Sequence, residues 1–259
     1  MGKIVNRQRN DGRKVNDRKY KADGNYQHVK PKWEEDRLEK AKAFHIQPKN
    51  FNQELMLKSM RENIITVATG SAGVGKSLLM CYYAASELLA GNIRKIVITR
   101  PYVATAGRTT GFKPSTDLEK LRSFVLPMIG YLSDVLGKGM VEEHLQHNDK
   151  IELAPLESIR GRSFDDCIVL VDESSNMTIT EVQAISTRLG ENCRMVLSGD
   201  GFQSDTRDNG LRWFESLVKQ HKISDIGVIK FTHDDIVRSG MVKELVIAFE
   251  KDAQGTYSY

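Results

Sequence analysis

Apolar residues fall into two alternating patterns along this chain. Short unbroken Val/Ile/Leu stretches sit in NIITVAT (63–69), RKIVIT (94–99), CIVLVDE (167–173), RMVLSGD (194–200) and IGVIKF (226–231). Between them, apolar positions recur at helical spacing. NQELMLKSM (52–60) predicts a helix, and KSLLMCYYAASELLA (76–90) predicts one that is apolar almost all round and closed by Gly91. Thr178 and Glu181 form a capping box ahead of Ile179, Val182, Ile185 and Leu189, with Gly190 as the stop. Leu211, Phe214, Leu217 and Val218 mark another helix, and Val237, Met241, Leu245 and Phe249 a last one. All these stripes read as core-facing. Continuous strands separated by helices predict an α/β fold, a mostly parallel sheet covered on both faces.

Two regions break the rhythm. Pro101 to Ile151 holds Gly107, Gly111, Pro114 and Pro127 around one predicted helix over about 117–136, and a long insertion after a strand is a common carrier of function. Residues 1–32 hold ten Lys or Arg against three Asp in a chain whose net charge is +4, so the remainder is slightly acidic. Too poor in apolar residues to fold alone, this segment reads as a basic, flexible arm of residues 1–45 that suits contact with nucleic acid, with Tyr20 and Tyr26 able to stack on bases. WEEDRLEKAKA (33–43) predicts a short charged helix leading into a single domain over 46–259 with its insertion at about 101–150. No apolar run is long enough to cross a membrane, and the first residues lack a signal-peptide core. The cysteines, Cys81, Cys167 and Cys193, are scattered and odd in number, which indicates neither a zinc site nor a disulfide framework and favours a reducing, cytoplasmic setting.

The candidate chemistry begins at GSAGVGKS, Gly70, Ser71, Ala72, Gly73, Val74, Gly75, Lys76 and Ser77, which meets every fixed position of G-x-x-x-x-G-K-[ST] between a strand and a helix. Glycines there let backbone N–H groups wrap a polyphosphate at a helix N-terminus. Lys76 is positioned to reach the β- and γ-phosphates and Ser77 to ligate Mg²⁺. A second strand runs straight into Asp172 and Glu173. Asp172 is the candidate for holding Mg²⁺, and Glu173 the candidate general base for the attacking water.

From about residue 46 to 250 the chain resembles the PhoH family of ATPases, relatives of superfamily 1 helicases, phage-type members included. The resemblance runs in order through GSAGVGKS, TRPYVATAG with GFKPS (99–115), LESIRGRSFDDCIVLVDESSNMT (156–178), LSGDGFQSD (197–205) and HDDIVRSGMV (233–242). It implies a RecA-like P-loop NTPase of a single lobe that uses ATP and Mg²⁺. It also implies that Gln53 reads the adenine edge and that Gln203 senses the γ-phosphate, with Asp200 and Asp205 nearby or simply capping turns. Arg238, and the pair Arg160 and Arg162, are candidates for stabilising transition-state charge or for structural ion pairs. Because a two-lobed helicase closes over its nucleotide and this chain has one lobe, the analogy implies a homo-oligomeric ring, of six subunits, with an arginine from a neighbour. Two departures stand out: Ser175 where the family has glutamine in an Asp-Glu-Ala-Gln-Asn run, and GFKPS for Gly-Phe-Leu-Pro-Gly.

The leading expectation is an Mg²⁺-dependent ATPase acting on single-stranded RNA or DNA, with Arg100, Tyr102, Arg108, Phe112 and Lys113 as strand contacts or as packing against a ring neighbour. A P-loop kinase for a small metabolite and an ATP-regulated binding module are the alternatives.

Overall fold

The computed structural model describes residues 46–101, 116–200 and 209–253. The expectations for the arm, for the helix at 33–43, and for Tyr102, Arg108, Phe112, Lys113, Gln203 and Asp205 fall outside those residues.

Six strands, β1 (Ile65–Thr69), β2 (Lys95–Thr99), β3 (Ile151–Leu153), β4 (Cys167–Val171), β5 (Arg194–Gly199) and β6 (Ile226–Lys230), form one sheet in the order β3-β2-β4-β5-β1-β6. Every neighbouring pair is parallel. Strict side-chain alternation explains the continuous apolar runs. Ile96, Ile98, Ile168 and Leu170 enter one core, whereas Val97, Val169 and Val171 enter the other. A strand buried on both faces favours apolar residues at every position, and the polar ones it keeps are small: Thr66, Thr69, Thr99 and Ser198.

The first core is roofed by α1 (Phe51–Glu62), α2 (Lys76–Ala90), α3 (Asp117–Phe124), α4 (Leu126–Leu136) and α5 (Lys138–His147). The second lies under α6 (Ile179–Ser186) and α7 (Gly210–His221). A last helix, α8 (Gly240–Ala253), closes the described chain. Among the described residues no helix is long and apolar enough to cross a membrane.

Four expectations need correction. The single helix over about 117–136 is two, α3 and α4, which meet at Val125 (φ −99°, ψ 11°). Pro127 tolerates the first turn of α4 but cannot continue a helix arriving from upstream. The sequence pattern also misses α5 and the edge strand β3, since three residues of strand are too few for a periodicity. Gly190 does not stop α6, which ends at Ser186 with Thr187 as its cap. Gly190 instead donates its N–H to the Phe164 carbonyl at 2.8 Å, and an added Cβ there would lie 1.9 Å from Asp165 Oδ1. The α8 stripe is not core: Met241 and Phe249 are 65% and 67% exposed, while Val246 and Glu250 point inward. α8 carries apolar residues on two faces, and only one meets the body of the domain.

The cysteines also gain a spatial relation that sequence distance hides. Cys167 and Cys193 precede paired positions of β4 and β5, and their Sγ atoms lie 3.4 Å apart as free, buried thiols.

Candidate active site

At the C-terminal end of β1 the chain turns through Gly70–Gly75 into α2. Three glycines there hold positive φ: Gly70 at 140°, Gly73 at 84° and Gly75 at 92°. Gly70 is also pinned from β6, because an added Cβ would meet the Phe231 carbonyl oxygen at 2.4 Å. The loop is braced on both flanks. On one side the Gln53 amide donates from Nε2 to the Val74 carbonyl at 2.8 Å, and its Oε1 accepts from the Lys49 N–H at 2.7 Å. On the other, the Val237 N–H donates to the Gly73 carbonyl at 3.1 Å. Asn52 Nδ2 ties the two braces together by donating to Asp235 Oδ2 at 2.7 Å.

Lys76 Nζ donates to the Gly70 and Ser71 carbonyls at 2.6 and 2.9 Å, which folds the ammonium back into the loop's concavity. Burial pushes its pKa down, opposed by the carboxylates of Asp200, Glu173 and Asp172. On the far side of β5 from β1, β4 ends at Val171 and the Asp172 N–H donates to the Thr99 carbonyl at 3.1 Å. This fixes the Asp172 side chain opposite α2, where Ser77 Oγ donates to Asp172 Oδ1 at 2.9 Å. A hydroxyl and a carboxylate already in contact are hard oxygen donors of the kind Mg²⁺ takes, with phosphate oxygens and waters completing its shell. The residues present therefore fit that ion.

Glu173 follows with φ 51° and ψ 35°, a left-handed conformation that is strained for a residue with a side chain. Burial and the neighbouring Asp172 raise its pKa, partly offset by Arg100 and Lys76. A carboxylate raised in this way is a better proton acceptor than an ordinary surface glutamate. Arg100 faces both acids, with Nη1 3.8 Å from Asp172 and Nη2 3.8 Å from Glu173. It also donates to the Phe124 carbonyl at 3.2 Å and sits over the Phe124 ring at 5.7 Å, which links the carboxylates to the end of α3.

These groups share one cleft. Gly73, Gly75, Lys76, Ser77, Asp172, Glu173 and Asp200 line it together with Arg238, and Ala72, Leu78, Tyr131 and the end of β5, Ser198 and Gly199, complete the wall. Arg238 lies against Gly73, its Cγ 2.9 Å from where a Cβ would stand. The other two arginines are elsewhere. Arg160 is exposed beside a groove between Leu156, Ile159 and Glu181 of α6. Arg162 makes a structural ion pair with Glu152 at 2.7 Å and stacks over Phe164 at 5.2 Å. Gln53 is 3% exposed and is not among the lining residues, although its Nε2 lies 3.0 Å from where a Cβ on Gly75 would stand. Ser175 is buried against Gly199, where an added Cβ would meet both Ser175 and Leu211, so position 199 has no space for a side chain.

Sequence reasoning misses two members of the site. It assigns Arg100 to strand contact, yet β2 and β4 pair with Thr99 opposite Val171, so the next residues in register are Arg100 and Asp172. Strand order would have found it. Tyr131 has no signal beyond helix periodicity.

The profile of the family described as PhoH-like protein matches residues 45–250. The chain belongs to the PhoH family. It is 34% identical over 222 residues to the PhoH-like protein of Bacillus subtilis (strain 168), covering 85% of this chain and 68% of that one. Protein PhoH of Escherichia coli (strain K12) is 30% identical over 195 residues, covering 74% and 55%. This family member thus spans between about half and two thirds of the length of these relatives. Among solved structures, the large terminase of a thermophilic bacteriophage is similar in fold, with a TM-score of 0.51 at 14% identity over 82% of this chain and 51% of that one. Family and fold together make the chain a P-loop nucleoside-triphosphatase-like protein of the RecA-like class.

Proposed function

We propose that this chain is an Mg²⁺-dependent ATPase that hydrolyses ATP to ADP and phosphate, works as a ring-shaped homo-oligomer, and couples turnover to single-stranded nucleic acid. The observation that carries the reading is the contact between Ser77 and Asp172 directly in front of the phosphate loop, with the strained Glu173 beside it. Mg²⁺, held by Ser77 and Asp172, would supply charge neutralisation for the phosphates. The loop's N–H groups and the α2 N-terminus bind the phosphates, and Lys76 exchanges its loop carbonyls for phosphate oxygens. Glu173 takes the proton from the attacking water, while Arg100 offsets the repulsion between the two like-charged carboxylates of the site. Gln203 senses the γ-phosphate. Arg238, already over the loop, is the candidate for stabilising charge on the transferred group from within the same subunit, and the exposed Arg160 is the candidate for reaching a neighbour's site.

An ATPase assay on the purified protein with no nucleic acid, with single-stranded RNA, and with single-stranded DNA tests the proposal directly. Expected are Mg²⁺-dependent phosphate release, stimulation by a single strand, and a larger particle in light scattering when ATP is present. Glu173→Gln should abolish release while nucleotide binding persists. Unchanged turnover in Glu173→Gln would remove the assigned base, indifference to both nucleic acids would remove the coupling, and transfer of phosphate from ATP to a metabolite would replace the ATPase by a kinase.

A further inference from the structure

The geometry points to Tyr131 as one wall of the base pocket, its ring stacking on the purine of a bound nucleotide; this rests on the nucleotide reading above. The phosphate end of the cleft is fixed by the positive-φ glycines, Lys76 and the Ser77–Asp172 contact. Beyond that end, the apolar members of the cleft lining are Ala72, Leu78 and Tyr131, which offer a surface to a nucleoside attached to phosphates seated there. Tyr131 is the aromatic side chain among the described cleft residues. Gln53 is not among the lining residues of the cleft, and its amide is bonded to the Val74 carbonyl and the Lys49 N–H.

Tyr131 is mounted to do this at low entropic cost. It belongs to α4, whose Met128 and Leu132 are locked in the first core at 1% and 0% exposure. Its ring meets the Tyr82 ring edge-on, with centroids 6.4 Å apart and planes at 85°, and Tyr82 is on α2, the helix whose first turn cradles the phosphates. The Tyr82 hydroxyl donates to Asp134 at 3.0 Å, one turn along α4 from Tyr131, which clamps the two helices together. The insertion therefore supplies a preorganised π-face to the nucleotide site, and preorganisation is what lets a single aromatic contribute to affinity. Stacking favours large ring systems over small ones but reads no hydrogen-bonding edge, so the ligand class is purine nucleotides, adenine and guanine alike.

Diphosphates separate base from phosphate without turnover. Calorimetric titrations with Mg²⁺ would compare ADP, GDP, CDP and inorganic pyrophosphate on the full chain and on Tyr131→Phe, Tyr131→Leu and Tyr131→Ala. The proposal expects Tyr131→Leu, which keeps apolar packing on Tyr82, and Tyr131→Ala to weaken ADP and GDP by roughly ten-fold or more. Pyrophosphate affinity should stay unchanged, CDP should bind more weakly than ADP to the wild type, and Tyr131→Phe should keep wild-type affinities. A parallel loss of ADP and pyrophosphate affinity in Tyr131→Leu would make the ring a mere packing element and overturn the proposal, as would unaltered ADP affinity. If the wild type binds neither ADP nor pyrophosphate, the nucleotide reading itself falls and takes the proposal with it.

Discussion

The phosphate loop and the α3–α5 insertion lie against the same cleft but are specified in different ways. The loop is written locally: glycines at fixed spacing, a strand before, a helix after, and each observed backbone angle answers to a residue that permits it. The insertion is written by its partners. Its helices carry a capping box at Thr116 and Glu119 and breaks marked by Pro127 and Gly137, but no chemical motif, and what they face becomes intelligible only once Met128, Leu132 and Val141 are seen packing on the first core. A local code gives a site that can be recognised in any sequence, whereas a code of contacts gives a site that must be seen.

The same chemical change should separate the two regions most sharply. Gly70→Ala forces a Cβ to within 2.4 Å of the Phe231 carbonyl at a φ of 140°, where strain and overpacking together cost about 2–6 kcal/mol. Nucleotide binding should vanish in calorimetry and the unfolding midpoint should fall. Next in size, Leu132→Ala empties a fully buried position of the insertion and should cost about 2–5 kcal/mol in denaturant titrations while leaving the loop's glycine geometry intact. Pyrophosphate should still bind to whatever fraction remains folded.

Arg100→Gln tests the bridge between the regions. Losing the guanidinium from Asp172, Glu173 and the Phe124 carbonyl should lower kcat about ten-fold, equivalent to some 1.4 kcal/mol of barrier, with little change in the unfolding midpoint. A thermal melt shifted as much as the rate would place Arg100 among structural residues instead. At the far edge of the insertion, Glu152 is held between Arg162 and Lys95. Burial alone would raise its pKa, but hydrogen bonds from those two cations bring it below its ordinary value. A lowered folded pKa stabilises the protein above the unfolded carboxylate's value, and that contribution disappears as pH falls through the folded one. Glu152→Gln should therefore cost on the order of 1 kcal/mol at neutral pH and progressively less in acid, read from unfolding curves across that window. The smallest effect has the opposite sign. Gly130→Ala meets nothing within 4 Å inside α4 and should stabilise the fold by about 0.5–1 kcal/mol.

Much of this architecture was legible because burial on both faces leaves a plain mark: five of the six strands and the boundaries of α2 follow from apolar runs and glycine punctuation. β3 escaped because Ile151–Leu153 is too short to show a period. The stripe Met241, Leu245 and Phe249 misled because helical spacing reports a face, not what covers it. In the site, Lys76, Ser77 and Asp172 were legible from motif and strand context, and the structure brings them together. Arg100 required the strand order, and Tyr131 required the packing of α4 on α2, neither of which any spacing encodes. Arg160 and Arg238 were equal candidates in the sequence, and only position relative to Gly73 divides them.

The buried thiols have a practical consequence. All three cysteines of the chain are enclosed, and burial pushes the Cys81 thiol well up, while the Cys167–Cys193 hydrogen bond and burial do the same for Cys193. Since the thiolate is the form that reacts with an electrophilic dye, the folded protein is a silent background for thiol labelling. A cysteine introduced on an exposed position would carry a fluorophore alone, and the rate at which the native three become reactive would time the opening of the sheet.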